Sequence, residues 1–255
     1  MTTLNLIGAG NLGHHLARAI DKADDIRLSY WYNRDKKSIS EPNHAIMVTD
    51  QLADLEAADI TIVTVSDDAV GALSSQIPYE NTLVVHTSGS VGIHDLDSKH
   101  KRGVFYPLQT FSKEVIMDFQ DVPLCLEALE KSDLNQLKQL AEALGSKHYR
   151  INTEQRQILH LAAVFVNNFS NQLYRIGHEI TDVKNINFDI LKPLILETAK
   201  KVQDVSPYMA QTGPAKRDDQ KTIRRHLKLL DNPLHKDIYE LLTQSIQQTH
   251  GRKKL

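Results

Sequence analysis

The chain has little of several features that would define other classes of protein. Cys125 is its single cysteine among 255 residues, so neither an intramolecular disulfide network nor a thiolate metal cluster is possible. No apolar run approaches the roughly 18 residues of a membrane-spanning helix. The formal net charge of −2 provides no basic field for nucleic acid. Because strand-like sequence begins almost at residue 1, without a targeting segment, we expect a cytoplasmic protein that binds neither membranes nor nucleic acid.

A glycine-rich turn is the most informative feature that is present. The apolar run Leu4–Ile7 leads directly into a G-x-G-x-x-G sequence with helical spacing behind it. This order is typical of the first turn of a dinucleotide-binding domain, where backbone N–H groups at a helix N-terminus receive the pyrophosphate. A purely structural turn is the alternative. The predicted cofactor-binding residues of this turn are Gly8, Gly10, Asn11, Leu12 and Gly13.

The pattern of apolar residues divides the chain into two parts. Strand-like segments alternate with helical ones as far as residue 151, which predicts βαβ units and a doubly wound parallel sheet. From residue 152 onwards the period is helical throughout, and Asn152 with Gln155 has the spacing of a capping box. We therefore expect an α/β fold, with a Rossmann NADP-binding domain over residues 1–151 and an all-helical substrate and dimerisation domain over residues 152–255. One long helix is predicted from about Thr153 to about Ile180.

The end of the second predicted strand indicates which nicotinamide dinucleotide is preferred. NAD-binding domains place an acidic residue about 20 residues beyond the glycines, where it binds the ribose hydroxyls. Asn33 and Arg34 occupy this place here, and a guanidinium suits a 2′-phosphate. The sequence therefore favours NADP as cofactor. In the alternative interpretation Asp35 takes the role of the acid and Arg34 is a surface residue.

The loops after the fourth and fifth predicted strands contain further candidates. Ligands of this fold bind at the carboxyl ends of the strands, so Ser66, Asp67 and Thr87 are predicted to contact the cofactor. Ser88 is predicted to hold a substrate oxygen. The residues after the fourth strand equally suit a helix N-cap, and the neighbouring His86 equally suits a hydrogen-bonded histidine at a strand end.

The long predicted helix carries a polar stripe beside an apolar one. In the stripe, His160 is a candidate general acid, because histidine titrates near neutral pH. Asn167 and the adjacent Asn168 are candidates for orienting a substrate carbonyl or imine. A hydrogen-bond network between helices is the alternative. No pair of histidines has metal-binding spacing on a helix with a supporting acid, so we predict no metal site.

Several segments together resemble a known family. They are the glycine turn, Asn33-Arg34, His86–Gly89, Phe105–Phe111, the segment from His160 to Asn168, and Thr212–Pro214. In this order they are similar to bacterial Rossmann-like proteins, classed as NADP oxidoreductases, that carry a helical C-terminal domain of unknown function. That group is related to pyrroline-5-carboxylate reductase, deazaflavin-dependent NADP reductases and β-hydroxyacid dehydrogenases. The resemblance covers nearly the whole chain and implies a homodimer formed through the helical domain.

The chain departs from the β-hydroxyacid dehydrogenases at one position. Those enzymes use a lysine four residues before an asparagine, and counting back from Asn167 and Asn168 gives Ala163 and Val164. We expect transfer of a hydride from NADPH to a small carbonyl or imine, one that bears a carboxylate. A non-catalytic NADP-binding sensor or assembly protein is the alternative, and a methyltransferase fits the second strand and the helical domain less well.

Overall fold

The computed structural model describes residues 1–40, 42–112 and 115–250. The chain divides into two compact units, Met1–Phe165 and Val166–Leu255. The change from strands to helices predicted at residue 152 therefore does not coincide with this division. The first helix after that change, Thr153–Ala163, belongs to the first unit.

The first unit contains an eight-stranded sheet in the order β3-β2-β1-β4-β5-β6-β7-β8. Each neighbouring pair of these strands is parallel except β6 and β7, which run antiparallel. The predicted α/β class with a doubly wound, largely parallel sheet is confirmed. The strands are β1 Thr2–Ile7, β2 Ile26–Tyr32, β3 Met47–Thr49, β4 Ile60–Val63, β5 Leu83–His86, β6 Lys101–Pro107, β7 Leu124–Ala128 and β8 His148–Arg150.

Both faces of the sheet are buried. Successive side chains of a strand point to opposite faces, so Ile62 of β4 packs in one apolar cluster and Val63 in another. Helices α1 (Asn11–Asp21) and α3 (Lys131–Ala143) contribute Leu16 and Leu137 to the cluster around Ile62, whereas α2 (Val70–Ser74) contributes Val70 to the other. Burial on both faces explains why the central strands are almost entirely β-branched or leucine.

The helical segments begin with α4 (Thr153–Ala163), which has the predicted capping box. The Asn152 side chain accepts a hydrogen bond from the Gln155 backbone N–H at 2.9 Å, and the Gln155 side chain accepts one from the Asn152 N–H at 3.1 Å. The long helix predicted from about Thr153 to about Ile180 is confirmed in its extent, because residues 153–182 are helical without interruption, but the segment Val164–Phe169 between α4 and α5 (Ser170–Asp182) is π-helical. A π-turn shifts the helical register, so α-helical spacing cannot place His160 and Asn167 on one face.

In the part that the structure describes, the second unit consists of helices joined by turns and loops, without a strand. Its remaining helices are α6 Lys192–Asp204, α7 Pro207–Ala210, α8 Gln220–Leu229 and α9 Pro233–His250. Helix α8 begins after Asp219, its N-cap, whose side chain accepts a hydrogen bond from the Thr222 N–H at 3.0 Å. Nowhere in residues 1–40, 42–112 and 115–250 does a helix combine the length and the apolar character of a membrane span.

The glycine turn joins β1 to α1 by a very close approach of three backbone segments. Gly8 has a φ of +111°, and a Cβ there would lie 2.5 Å from the Thr64 carbonyl oxygen. A Cβ at Gly13 would overlap the Gly8 carbonyl oxygen and would lie 3.1 Å from Thr64 Oγ1. Gly10 differs, because a Cβ there would meet no atom within 4 Å. Two of the glycines are therefore needed for folding, and the third leaves open space.

This difference predicts opposite results for two alanine substitutions. Gly13→Ala forces a methyl group against the backbone of Gly8, and we expect a loss of about 1–3 kcal/mol in the free energy of unfolding. Gly10→Ala has an allowed φ of −75° and free space, so we expect a loss below about 1 kcal/mol. Urea unfolding of both variants measures the difference. Equal losses would contradict the assigned packing of the turn.

Candidate functional site

A cleft of about 500 Å³ lies beside the glycine turn. It is bounded by the ends of β1, β2 and β4, which is where ligands bind in a doubly wound sheet. Apolar side chains form part of its wall, and polar groups stand at the strand ends. The residues that line it include Gly8, Gly10, Asn33, Arg34, Thr64 and Ser66.

The open space at Gly10 fits a phosphate group. Gly10 is the N-cap of α1 and has no side chain to bond the free N–H groups of the first helical turn. Those N–H groups and the helix dipole together attract an anion. A dinucleotide pyrophosphate would therefore be held by the backbone of Gly10, Asn11 and Leu12, in a space that any other side chain at position 10 would enter.

Asn11 and Leu12 also hold the start of α1 in place. The Asn11 side-chain amide donates a hydrogen bond to the Phe111 carbonyl oxygen at 2.9 Å, and Leu12 packs against the main apolar cluster. Both side chains are therefore engaged within the protein. Their predicted contact with the cofactor is through the backbone.

The structure gives Asn33, Arg34 and Asp35 three different surroundings. The Asn33 side chain accepts a hydrogen bond from the Ala9 N–H at 3.2 Å and donates one to the Asp35 carbonyl oxygen at 2.9 Å. The Asp35 carboxylate accepts a hydrogen bond from the Lys37 N–H at 3.1 Å, as the N-cap of a short 3₁₀ turn. Arg34 is exposed and lines the cleft. Arg34 is thus the charged side chain of this segment that lies along the cleft.

The other predicted cofactor residues lie at the ends of β4 and β5. Ser66 is exposed and lines the cleft, and although it precedes a short 3₁₀ turn its side chain makes no capping hydrogen bond. Asp67 is exposed in that turn. The Thr87 hydroxyl donates a hydrogen bond to the Val63 carbonyl oxygen at 3.3 Å, which ties the end of β5 to that of β4. Their contacts with a cofactor stay predictions.

A second group of polar residues lies at the end of β6. The hydroxyl of Tyr106, which is buried, is 3.1 Å from Nδ1 of His160, and the two rings meet edge to face. The imidazole also lies against Gly89, where a Cβ would be 2.7 Å from the His160 ring. Tyr106 was not among the residues selected from the sequence. Its contact with α4 joins residues that are far apart in the sequence, so the local sequence around Tyr106 could not predict it.

Ser88 lies beside this group as part of the loop between β5 and β6. Its hydroxyl oxygen accepts hydrogen bonds from the backbone N–H groups of Ser90 at 3.0 Å and Val91 at 3.1 Å. Ser88 thus shapes the loop that contacts His160. Asn167 and Asn168 are exposed, and they lie in the π-helical segment within the second unit.

Arg156 holds α4 against the sheet, although it was not among the residues selected from the sequence. Its side chain is completely buried, forms an ion pair with Glu127 of β7, and donates a hydrogen bond to the Val91 carbonyl oxygen. The side chain of the next residue, Gln157, donates a hydrogen bond to the Ser90 carbonyl oxygen at 2.8 Å. A buried arginine is rare unless its charge is paired, so this pair fixes the position of the helix that carries His160.

Two further titratable groups at the ends of β5 and β7 are held neutral. Burial, assisted by the nearby Arg156 charge, lowers the pKa of His86 to about 4, and its Nδ1 accepts a hydrogen bond from the Ser88 N–H at 3.2 Å. Burial raises the pKa of Cys125 to about 11, so it is no thiolate nucleophile. His86 is accordingly a structural histidine at a strand end. Within the described ranges no cluster of three His, Cys, Asp or Glu side chains is arranged to hold a metal ion.

Comparison with known proteins identifies relatives of this chain and structures of similar fold. A family defined by a domain of unknown function, DUF2520, matches residues 122–246. A solved structure from Bacteroides fragilis, provisionally named an NADP oxidoreductase, is 40% identical, with 97% of this chain and 98% of that chain covered and a TM-score of 0.86. No curated protein matches the sequence.

Two more distant structures share the fold. Pyrroline carboxylate reductase from Plasmodium falciparum, solved with NADP, is 16% identical, with 98% of each chain covered and a TM-score of 0.60. An imine reductase from Myxococcus stipitatus, solved with NADP⁺, is 16% identical, with 98% of this chain and 96% of that chain covered and a TM-score of 0.64. With 40% identity to the Bacteroides fragilis protein over nearly its whole length, the chain belongs to that protein's family, the Rossmann-like proteins with a DUF2520 C-terminal domain.

Proposed function

We propose that this protein is an NADPH-dependent reductase of a small carbonyl or imine compound that bears a carboxylate. The observation that carries the proposal is the open space at Gly10, next to the free N–H groups at the start of α1 and in the same cleft that Arg34 lines. The names of the similar structures support it, since they include an NADP oxidoreductase, a pyrroline carboxylate reductase and an imine reductase.

Preference for NADP over NAD rests on the segment after β2. A 2′-phosphate adds negative charge at the adenosine ribose, and Arg34 is the charged side chain of that segment along the cleft. Asp35, the candidate acid for the ribose hydroxyls in an NAD-type site, uses its carboxylate to cap the following turn. Both features favour the phosphorylated cofactor.

The chemical step needs a proton donor near the reduced carbon. NADPH, when bound, supplies the hydride, and the oxygen or nitrogen of the substrate must then receive a proton. His160 is our candidate donor, because it is a titratable group on α4 held against the β5–β6 loop. Asn167, Asn168 and Ser88 are the candidates for orienting the substrate, and their role stays a prediction.

Arg34→Ala tests the cofactor preference. Loss of a charge-assisted contact with the 2′-phosphate removes about 1.5–3 kcal/mol of binding energy, so the NADPH dissociation constant should rise about 10- to 100-fold. The NADH constant should change little. Fluorescence titration of the reduced nicotinamide measures both constants. Arg27→Ala, at the opposite end of β2, is the matched control, and an equal loss in that variant would overturn the assignment.

His160→Gln tests the proton donor. General acid catalysis contributes about 10²- to 10⁴-fold, so kcat should fall by about that factor while the NADPH dissociation constant stays unchanged. The assay follows NADPH oxidation with a panel of 2-keto acids and cyclic imino acids. The exposed His44→Gln should behave as wild type. Unchanged turnover in His160→Gln would remove this residue from the mechanism. If the wild-type protein binds NADPH but turns over no member of the panel, the result would favour a non-catalytic NADP-binding protein. That alternative is consistent with the absence of a lysine four residues before Asn167 or Asn168.

We further propose that two copies of the chain associate through the helical unit. Leu173 and Ile180 of α5 lie seven residues apart and are both exposed, and Val166 of the preceding π-helical segment is exposed to 76%. Exposed apolar side chains that extend along an element are typical of a protein interface. Other exposed apolar residues of the same unit are Ile190, Leu194, Leu229 and Leu241.

Sedimentation equilibrium tests this association. Wild-type protein should sediment as a dimer, and Val166→Glu should shift the equilibrium toward the monomer because a charge replaces apolar surface at the interface. Ile116→Glu is the control, since it also replaces an exposed apolar residue but lies in the first unit. A monomeric wild-type protein would refute the proposed dimer.

A further inference from the structure

We infer that Tyr106 is a positioning residue that holds Nδ1 of His160 and leaves Nε2 as the atom that delivers the proton. The inference rests on the proposed function for its catalytic part, and on the geometry of Tyr106, His160 and Gly89 for the rest. The hydroxyl oxygen of Tyr106 lies 3.1 Å from Nδ1, within hydrogen-bond distance. Tyr106 is 8% exposed, so little water competes for this contact.

A tyrosine hydroxyl suits either protonation state of the imidazole. When His160 is an imidazolium, its Nδ1–H donates to the Tyr106 oxygen. When the ring is neutral with its proton on Nδ1, that N–H still donates to the Tyr106 oxygen, and in the other neutral tautomer, with the proton on Nε2, the Tyr106 O–H donates to Nδ1 instead. Because burial raises the pKa of Tyr106, its hydroxyl keeps its proton at neutral pH and remains available for both roles. The partner of Nδ1 is therefore the same throughout a catalytic cycle.

With Nδ1 bonded to Tyr106, the proton that the substrate receives comes from Nε2. As a hydride, which bound NADPH would supply on its oxidation to NADP⁺, bonds to the substrate carbon, the π electrons of the double bond move to the substrate oxygen or nitrogen. That atom takes the proton from Nε2 of the imidazolium, and the N–H bond at Nε2 breaks. The product is a neutral imidazole whose Nδ1–H still donates to Tyr106. Solvent returns a proton to Nε2 for the next turnover.

Gly89 supplies the second restraint on the ring. A Cβ at this position would lie 2.7 Å from both Cγ and Nδ1 of His160 and 3.0 Å from its Cβ. The atoms that would be displaced belong to the ring and its attachment, so a side chain at position 89 would displace the imidazole as a whole. The loop backbone therefore limits the ring from one side, and the Tyr106 hydroxyl fixes its orientation from another.

Tyr106→Phe tests the inference with two independent measurements. The first is the ¹⁵N spectrum of the imidazoles in histidine-labelled protein, in which the His160 signals are identified by their loss in His160→Gln. Loss of the hydroxyl should shift the Nδ1 signal of His160. The second is kcat, which should fall about 3- to 10-fold with little change in the NADPH dissociation constant.

Two further variants provide the controls. Tyr79→Phe removes another hydroxyl of the first unit, one that bonds Asn5 and Thr61, and it should leave kcat and the His160 signals unchanged. Gly89→Ala should displace the ring and lower kcat by about 100-fold. Because both changes act on the same ring position, Tyr106→Phe in the Gly89→Ala background should cost less than it does alone.

The two measurements separate this inference from the proposed function. An unchanged Nδ1 signal in Tyr106→Phe would overturn the inference, as would a shifted signal with wild-type kcat. A shifted signal in a protein that turns over no panel substrate would refute the reductase and with it the delivery of a proton from Nε2. That result would nevertheless establish that Tyr106 holds Nδ1.

Discussion

The ion pair between the buried guanidinium of Arg156 and Glu127 is the interaction on which the candidate proton-donor site depends. A charged group that is buried away from water needs a close partner of opposite charge, and the carboxylate of Glu127 is that partner. Removing one member of such a pair typically costs about 3–5 kcal/mol, because the other is left buried and unpaired. The same side chain bonds the loop between β5 and β6. Helix α4 can therefore take only one position along the sheet, and His160 takes its place beside Tyr106 as a consequence.

Within the glycine turn, two glycines are required by packing and a third is explained only by function. Gly8 and Gly13 have no Cβ because Thr64 and the turn itself occupy the space, which is a requirement of folding. Gly10 has no Cβ although nothing occupies the space, and folding alone gives no reason for it. Space kept clear at the start of a helix is what a phosphate requires. The proposal that the protein binds NADPH therefore rests most strongly on Gly10, the glycine that packing does not require.

Much of the first unit could be predicted because its signals are local. Runs of β-branched residues, the glycine turn and the capping box at Asn152 each need only a few neighbouring residues to be recognised. The interactions of the site are long-range. Arg156 and Tyr106 look like an ordinary helix surface residue and an ordinary strand residue until the fold places them against Glu127 and His160. The π-helical segment also has no proline or glycine to mark it, so the change of helical period within the predicted helix could not be recognised from the sequence.

The central claim is that the cleft beside the glycine turn holds NADPH. Its most direct test is an equilibrium titration of the wild-type protein with NADPH and with NADH, followed by nicotinamide fluorescence. The account predicts that NADPH binds at least about tenfold more tightly, since only NADPH carries the 2′-phosphate that Arg34 would bind. Equal affinity for the two would contradict the role of Arg34, and binding of neither would contradict the reductase itself.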